Sequence, residues 1–298
     1  MAHQQFAYGG QAVIEGVMIR GQRVFAVATR HPSGQIHTVT YPIPQWGRSP
    51  WRRVPIVRGV LVLAETLVMG MRALTYSAQV AAGEGHDRPI PAWSMALTIL
   101  ASVAFAVALF FVVPLWLVHA LVDRFTSSSL LSNLAEGALR LAVLVGYLVV
   151  IGWAPTIRRL FAYHAAEHMT VHTREAGLSL EPANVRKFPA AHPRCGTAFL
   201  LTVMLVSIVV FALLGRPELP ARVLSRVLLI PVIAGVSYEV IRLSAAHTTN
   251  LLVQLLIAPS LALQRLTTRP PDDSQIEVAI SAMDTAIQGD QVQATLDP

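Results

Sequence analysis

The sequence predicts a mainly α-helical, polytopic membrane protein with about four transmembrane helices, an amphipathic or re-entrant helix and a small N-terminal cytoplasmic antiparallel β-sheet. Hydrophobic residues make up 54% of the 298 residues and charged residues only 13%, whereas charged residues are about 25% of an ordinary soluble domain. The charges crowd near the N-terminus, in one central segment and in the C-terminal tail. The apolar runs between them are long enough to cross about 30 Å of hydrocarbon.

Four apolar runs are predicted to span the membrane, and a fifth run is shorter. Pro114 and Pro231 lie inside two of the long runs, where neighbouring helices can satisfy the freed carbonyl groups. The shorter run, 251–263, contains Gln254 and Pro259 and is therefore predicted to be a re-entrant or interfacial helix. The four predicted spans are residues 93–122, 134–157, 197–214 and 223–243.

The segments that flank the spans are predicted to be amphipathic or soluble. Val- and Ile-rich runs at 11–19, 24–30 and 35–41, separated by turn residues, predict the sheet. Helically spaced apolar residues at 56–82 are interrupted by charges, which predicts a helix on or partly in the membrane. A short C-terminal helix is expected to dock on the sheet through Ile276, Ile280, Met283 and Ile287. The chain thus divides into a β-rich segment (1–55), an amphipathic helix and linker (56–92), a transmembrane domain (93–265) with a polar motif loop (158–196), and a soluble tail (266–298).

The distribution of positive charge predicts that both termini are cytoplasmic. Of the 23 Lys and Arg residues, eighteen lie before the first span, between spans two and three, or after the last span. Cytoplasmic loops are enriched in these residues, so we expect a multi-pass protein of the cell (inner or plasma) membrane, in contact with lipid and without a nucleic-acid partner. Residues 1–10 lack a signal-peptide pattern, so a transmembrane helix should direct insertion. The five positive residues on the other side are Arg124, Arg140, Arg216, Arg222 and Arg226.

The segment Tyr163-His164-Ala165-Ala166-Glu167-His168 carries the strongest chemical signal. His164 and His168 are four residues apart and so share one face of a helix, where both can bind one metal ion. The order H-x-x-E-H is that of inverted zinc peptidases, in which the Glu activates a metal-bound water. His172 continues this stripe, which either extends the site or marks a merely polar face. The structural alternative is a helix that leaves the membrane with histidines that only meet water.

A metal site needs a third ligand, and Glu239 is one candidate. A carboxylate inside a predicted span is costly and therefore suggests a function. The alternative is an ion pair with Arg242, three residues later. Only Glu239 and His119 were identified as ionisable residues inside the spans, which is too few for an ion path and disfavours a transporter.

The run His192-Pro193-Arg194-Cys195 offers a second source of ligands. A thiolate combined with imidazole is a common zinc-binding set, and Arg194 lies between the two as an additional site candidate. Alternatively, Cys195 is a small buried residue at a helix start or a nucleophile with His192 as its base. It is the only cysteine, so no intrachain disulfide is possible.

Residues 9–21, GGQAVIEGVMIRG, form a glycine-punctuated segment near the N-terminus. Its glycines permit positive φ angles or close backbone approach. It is not a P-loop, because no Gly-Lys-Ser/Thr follows. Glu15 and Arg20 are candidates to face a substrate, although a tight turn in the sheet is the simpler interpretation.

These motifs resemble the YqhQ-like family of bacterial membrane proteins, a family of unknown function that is often described as predicted metal-dependent enzymes. The resemblance covers nearly the whole chain, from about residue 8 to about residue 280. It implies a membrane protein with a metal-dependent activity, and six candidate residues stand at matching positions. The matching runs are 9–21, 163–168 (YHAAEH), 192–199 (HPRCGTAF) and 237–239 (SYE). The six residues are His164, Glu167, His168, His192, Cys195 and Glu239.

The sequence as a whole favours a membrane-embedded metal-dependent hydrolase, such as a peptidase, at the cytoplasmic membrane face. Its divalent metal, expected to be zinc, would be bound by His164, His168 and one or two of Cys195 and Glu239. Glu167 would act as the general base. The alternative is a non-catalytic scaffold or docking factor with a closed structural metal site and a cytoplasmic surface for a protein partner.

Overall fold

The computed structural model describes residues 6, 8–44, 50–83, 91–247 and 250–296. Within these ranges the chain is mainly α-helical, with a four-stranded antiparallel sheet near the N-terminus. This confirms the predicted combination of many helices and one small sheet. Arg48 and Arg88, which are among the positive residues before the first predicted span, lie outside the described residues.

The sheet consists of β1 (Gly9–Val13), β2 (Gly16–Arg20), β3 (Val24–Arg30) and β4 (Ile36–Pro42), hydrogen-bonded in chain order. The predicted run 11–19 is not one continuous strand, because β1 and β2 form a hairpin. Its turn is made by Ile14 and Glu15, and Glu15 has a φ of 49°. A Cβ on Gly16 would lie 2.3 Å from the carbonyl oxygen of Ala28, so only glycine allows this close pairing.

Both faces of the sheet are covered by helices. Side chains alternate between the faces of a strand, so Val17 and Ile19 pack under α5 (Pro155–Glu175) and α11 (Asp273–Leu296). Met18, Phe25 and Val27 pack on the other face against α1 (Val57–Ala81). The C-terminal helix therefore docks on the sheet as predicted, but it is a 24-residue helix rather than a short one.

Within the described residues, three helical segments are long and apolar enough to cross a membrane, or four if one bent pair is counted as a single span. The first joins α2 (Ala92–Val107), a π-helical turn (Ala108–Val112) and α3 (Val113–Leu121). The others are α4 (Ser129–Ile151) and α7 (Gly196–Leu213). The bent pair is α8 (Leu219–Leu228) and α9 (Ile230–Ala246). The remaining helices are α6 (Pro182–Val185) and α10 (Leu251–Thr267).

The helix boundaries differ from the predicted ones where proline interrupts the backbone. α4 ends at Ile151 rather than 157, because Gly152 follows and Pro155 begins α5. The fourth predicted span is broken by a 48° bend at Leu229, just before Pro231. Proline cannot donate the helical hydrogen bond, which explains the break.

An ion-pair network is buried between α4, α8 and the segment after α3. The Glu136 carboxylate lies 2.6 Å from Arg140, 3.0 Å from Arg222 and 2.9 Å from Arg226, and Arg222 also lies 2.8 Å from Asp123. The three arginines are at most 1% exposed. Glu136 stands inside the predicted span 134–157 but is not among the ionisable span residues identified from the sequence.

Candidate metal centre

Helix α5 supplies one row of polar side chains that faces the loop before α7. The helix begins at Pro155, which is favoured at a first helical position. His164, His168 and His172 recur every four residues and so lie on one side of the helix. The ring centroids of His164 and His168 are 4.3 Å apart. The histidines of the predicted motif and His172 therefore form one row along a single side of α5.

The structure brings His164, His168 and Cys195 together. One donor atom from each lies within 4.8 Å of the other two, and His164 Nε2 lies 3.1 Å from Cys195 Sγ. Small side-chain rotations bring atoms at this spacing to the metal–ligand distances of about 2.0–2.3 Å that zinc requires. Two imidazoles and one thiol also match the donor types that zinc prefers. The donor set therefore fits a zinc ion.

Backbone carbonyl groups orient both imidazoles for metal binding. His164 Nδ1 lies 2.9 Å from the carbonyl oxygen of Thr267, and His168 Nδ1 lies 2.6 Å from that of Ala190. A carbonyl oxygen only accepts hydrogen bonds, so each Nδ1 carries the proton and each Nε2 offers its lone pair. This second-shell arrangement is typical of histidines that bind metals.

Cys195 is held at the N-terminus of α7. Its sulfur accepts a hydrogen bond from the backbone nitrogen of Thr197 at 3.4 Å and lies 3.1 Å from the Thr197 hydroxyl. The positive end of the helix dipole favours negative charge at this position, and the thiolate is the form of cysteine that binds metals. The fold therefore places the sulfur where it suits a ligand role.

Glu167 is buried beside these ligands, with its Oε2 atom 3.6 Å from His168 Nε2. Burial raises the pKa of the Glu167 carboxyl above its usual value, and this effect is opposed by His164, His192 and a backbone hydrogen bond from Gly10. A raised pKa brings a carboxyl nearer to the range in which it exchanges protons at neutral pH. Its position and protonation chemistry both suit a general base.

A second group of potential ligands continues the row and consists of His172, Glu175 and His192, which also have donor atoms within 4.8 Å of one another. His192 Nδ1 accepts a hydrogen bond from the backbone nitrogen of Arg194 at 3.2 Å. Its Nε2 therefore carries the proton in the neutral ring and lies 3.5 Å from the Glu175 carboxylate. Burial lowers the pKa of both His172 and His192. At 3.5 Å from the Glu175 carboxylate, the His192 Nε2 atom makes no hydrogen bond to the described residues.

Glu239 and Glu15 are placed away from the three clustered ligands. Glu239 accepts a bond from Arg58 Nε at 2.6 Å, pairs with the same guanidinium a second time, and lies 4.0 Å from Arg242. This geometry does not support its predicted ligand role, because its carboxylate neutralises Arg58 of α1 instead. Glu15 lies in the β1–β2 turn and accepts a hydrogen bond from Arg159 Nε at 2.8 Å. Arg194 pairs with Glu175.

Gln264 and Gly10 position the clustered side chains but are not among the candidate residues from the sequence. Gln264 of α10 is fully buried, and its side-chain amide accepts from the His192 nitrogen at 2.8 Å and donates to the His192 oxygen at 2.9 Å. A glutamine inside an apolar helix was the available signal, since a buried amide requires partners. Gly10 was recognised only as a glycine of the N-terminal motif. A Cβ at that position would lie 2.2 Å from the Met18 oxygen and 3.1 Å from Glu167 Cγ.

Comparison with known proteins identifies the family. Residues 54–289 match the family described as "Protein of unknown function (DUF1385)". The chain belongs to the DUF1385 family. It is similar to the "Uncharacterized protein YqhQ" of Bacillus subtilis (strain 168), with 32% identity over 296 residues, which cover 95% of this chain and 92% of that protein. No solved structure matches the chain significantly.

The DUF1385 match includes the whole row of α5 and the loop that carries His192 and Cys195. It begins after the β-sheet, so the sheet is covered by the similarity to YqhQ rather than by the family match. This agrees with the resemblance to YqhQ-like proteins drawn from the motifs. Since the family and YqhQ are described without an activity, an account of function has to come from the site itself.

Proposed function

We propose that this DUF1385 protein is a metal-dependent hydrolase whose site lies at the cytoplasmic face of the cell membrane. The convergence of His164, His168 and Cys195, with Glu167 beside them, is the observation that carries the proposal. Three protein ligands leave one position of a tetrahedral ion open, as in catalytic zinc sites. The substrate is a carbonyl compound such as an amide or an ester, a class that includes the substrates of peptidases.

The site residues have separate roles in this proposal. A bound zinc ion would polarise the carbonyl group and lower the pKa of a water molecule. His164, His168 and Cys195 hold the metal. Glu167 accepts the proton of the attacking water and later delivers it to the leaving group. Burial of Glu167 excludes bulk water from this transfer.

The cytoplasmic placement rests on the distribution of charge. Most arginines lie at the end of the molecule that carries the sheet, α1, α5 and α11. Three of the five positive residues at the other end are buried in ion pairs with Glu136. These three arginines are therefore not exposed loop charges. The excess of exposed positive charge at the end that carries the sheet is larger than the count of eighteen against five suggests. Both termini are cytoplasmic in this arrangement, and the apolar helices contact membrane lipid.

Metal analysis of purified protein tests the binding step. We expect about one zinc ion per chain in the wild type and none in a His164→Ala/His168→Ala double variant. His247→Ala is the matched control, because His247 is an exposed histidine at the end of α9 and its substitution should leave the metal content unchanged. Equal metal content in the wild type and the double variant would refute the proposal.

Glu167→Gln tests the catalytic step separately. It should lower the hydrolysis rate by about 10²–10⁴-fold and leave the zinc content intact. Hydrolysis is measured on amide and ester substrates with the protein in a lipid bilayer. An active Glu167→Gln variant would exclude Glu167 as the base.

A structural metal site in a scaffold protein is the second candidate function. The same three ligands connect α5, which packs on the sheet, to the start of α7, so a metal would tie the cytoplasmic part to a membrane helix. Such a protein would present its cytoplasmic surface to a partner. X-ray absorption of the zinc-loaded protein discriminates the two, because four protein ligands favour the scaffold, and three plus water favour the hydrolase.

A further inference from the structure

A cavity of about 570 Å³ lies between α7, α9 and α10, and His192 of its lining lies beside the cluster of His164, His168 and Cys195. This volume is within the range of about 300–1,000 Å³ that is typical of small-molecule sites. Its walls are mostly aliphatic and include Val206 and Val209 of α7, Val236 and Val240 of α9 and Ile257 of α10. Such walls offer little for a charged or strongly polar ligand, so an apolar chain is the suitable occupant.

The charged and imidazole groups of the cavity come from His192, Arg194 and Glu175, and these residues define its mouth. The other polar residues of the lining are Thr202, Ser244 and Ser260. The His192 ring centroid is 5.6 Å from that of His168. His192 is 5% exposed, and its Nε2 atom has no hydrogen-bond partner among the residues that the structure describes. The mouth therefore retains unused hydrogen-bonding capacity next to the proposed reaction site. The guanidinium of Arg194 is paired with the Glu175 carboxylate at this mouth, and a phosphate or carboxylate group of a ligand would compete with Glu175 for it.

The length of the cavity matches one leaflet of a bilayer. Its wall on α7 extends from Ala198 to Val210, which at a rise of about 1.5 Å per residue is about 18 Å. Half of the hydrocarbon core is about 15 Å thick. An acyl chain that enters at the polar mouth would therefore fit along the cavity with its headgroup at the membrane surface.

We propose that the cavity binds the acyl chain of a membrane phospholipid and presents the carbonyl group of that chain to the metal site formed by His164, His168 and Cys195. This inference rests on the proposed hydrolase function and names its substrate class. The reaction is the hydrolysis of an acyl ester. The oxygen of water forms a bond to the carbonyl carbon, the bond to the alcohol oxygen breaks, and Glu167 passes the proton of water to that oxygen. The products are a fatty acid and an alcohol.

Photolabelling in nanodiscs tests where the chain binds. The probe is palmitoyl lysophosphatidylglycerol with a diazirine near the end of its acyl chain, and mass spectrometry locates the crosslinks. We expect crosslinks at Val206 and Val236 and their loss in Val206→Trp and Val236→Trp, which fill the cavity. Val150→Trp is the control, because Val150 is 57% exposed on α4 and does not line the cavity.

Three results would overturn the proposal. The first is unchanged labelling of both cavity variants. The second is crosslinks that are spread evenly over exposed residues such as Val150. The third is a cavity that is labelled by a transmembrane poly-leucine peptide carrying a diazirine but not by the lipid probe. Retained zinc content in the two cavity variants shows that they are folded.

The His164→Ala/His168→Ala variant separates this proposal from the hydrolase function. It should lose zinc and hydrolysis but keep the cavity crosslinks. Cavity crosslinks in a wild-type protein that hydrolyses nothing would refute the hydrolase function alone. Zinc-dependent hydrolysis without cavity crosslinks would refute the lipid site alone.

Discussion

Gln264 shows how a single buried side chain can determine the geometry of the site. Its amide makes two hydrogen bonds to the backbone of His192, so it fixes the loop that leads to Cys195. Thr267 lies one turn later on the same helix, and its backbone oxygen accepts a hydrogen bond from His164 Nδ1. α10 thus positions ligands from two other segments without supplying a ligand itself.

Replacement of Gln264 by leucine should weaken metal binding. The change removes both hydrogen bonds to His192 and leaves two buried backbone groups without partners. We expect zinc affinity to fall by about 10–100-fold, measured by competition with a chelator. Gln254→Leu, ten residues earlier on α10, is the control and should bind zinc like the wild type. Equal affinity in both variants would contradict a positioning role for Gln264.

The ion pair between Glu15 and Arg159 should make stability depend on pH. The hydrogen bond from Arg159 lowers the pKa of the Glu15 carboxyl below its usual value of 4.5. The folded state therefore gains stability above pH 4.5 and loses it as the pH falls through the lowered pKa. The free energy of unfolding of the wild type should exceed that of Glu15→Gln at neutral pH, and the difference should vanish in acid. A difference that is constant with pH would exclude this role.

Among the elements, the β1–β2 hairpin explains the glycine-punctuated motif. Gly10 of β1 donates a backbone hydrogen bond to Glu167 of α5, and Glu15 in the turn binds Arg159 of the same helix. The motif supports the site through the backbone and through an ion pair to α5. The structure agrees with the simpler interpretation of the motif as a tight turn at Glu15 and adds a contact between this turn and α5.

A matched pair of glycine substitutions tests this packing. A Cβ on Gly10 would lie 2.2 Å from the Met18 oxygen, whereas a Cβ on Gly9 meets nothing within 4 Å. Gly10→Ala should therefore destabilise the protein by about 1–3 kcal/mol and displace Glu167, while Gly9→Ala should leave thermal unfolding unchanged. Similar unfolding of the two variants would show that β1 does not pack tightly on α5.

In the whole molecule, the two ends differ in whether their arginines are exposed or buried. The end that carries the sheet exposes most of its arginines, and the opposite end buries three of them around Glu136. Buried charges are stable only when they are paired and hydrogen-bonded. The network therefore links α4 to α8 and holds the broken fourth segment against the rest of the bundle.

Removal of the Glu136 charge should be far more damaging than removal of an exposed one. Glu136→Gln leaves three buried arginines with less compensation and should destabilise the fold by about 3–5 kcal/mol. Glu277→Gln is the control, because the Glu277 side chain is 56% exposed where it pairs with Arg30, and it should cost less than about 1 kcal/mol. Thermal unfolding in detergent measures both. Equal effects would mean that the buried network does not stabilise the bundle.

The sequence by itself determined the features that depend on local pattern. Long apolar runs predicted α2 to α4 and α7, because about 20 predominantly apolar residues are needed to cross a membrane. The spacing of His164 and His168 placed them on one helical face, and the apolar face of the C-terminal segment predicted its docking on the sheet.

Only the tertiary structure decided which distant residues meet. Cys195 lies beside the histidines, and Thr197 holds it at the start of α7. Glu239 lies apart from them and is paired with Arg58 of α1 instead. Gln264, Gly10 and the Glu136 network depend on contacts between segments far apart in the chain. Such contacts follow from packing of whole helices, which the order of residues along one helix does not specify.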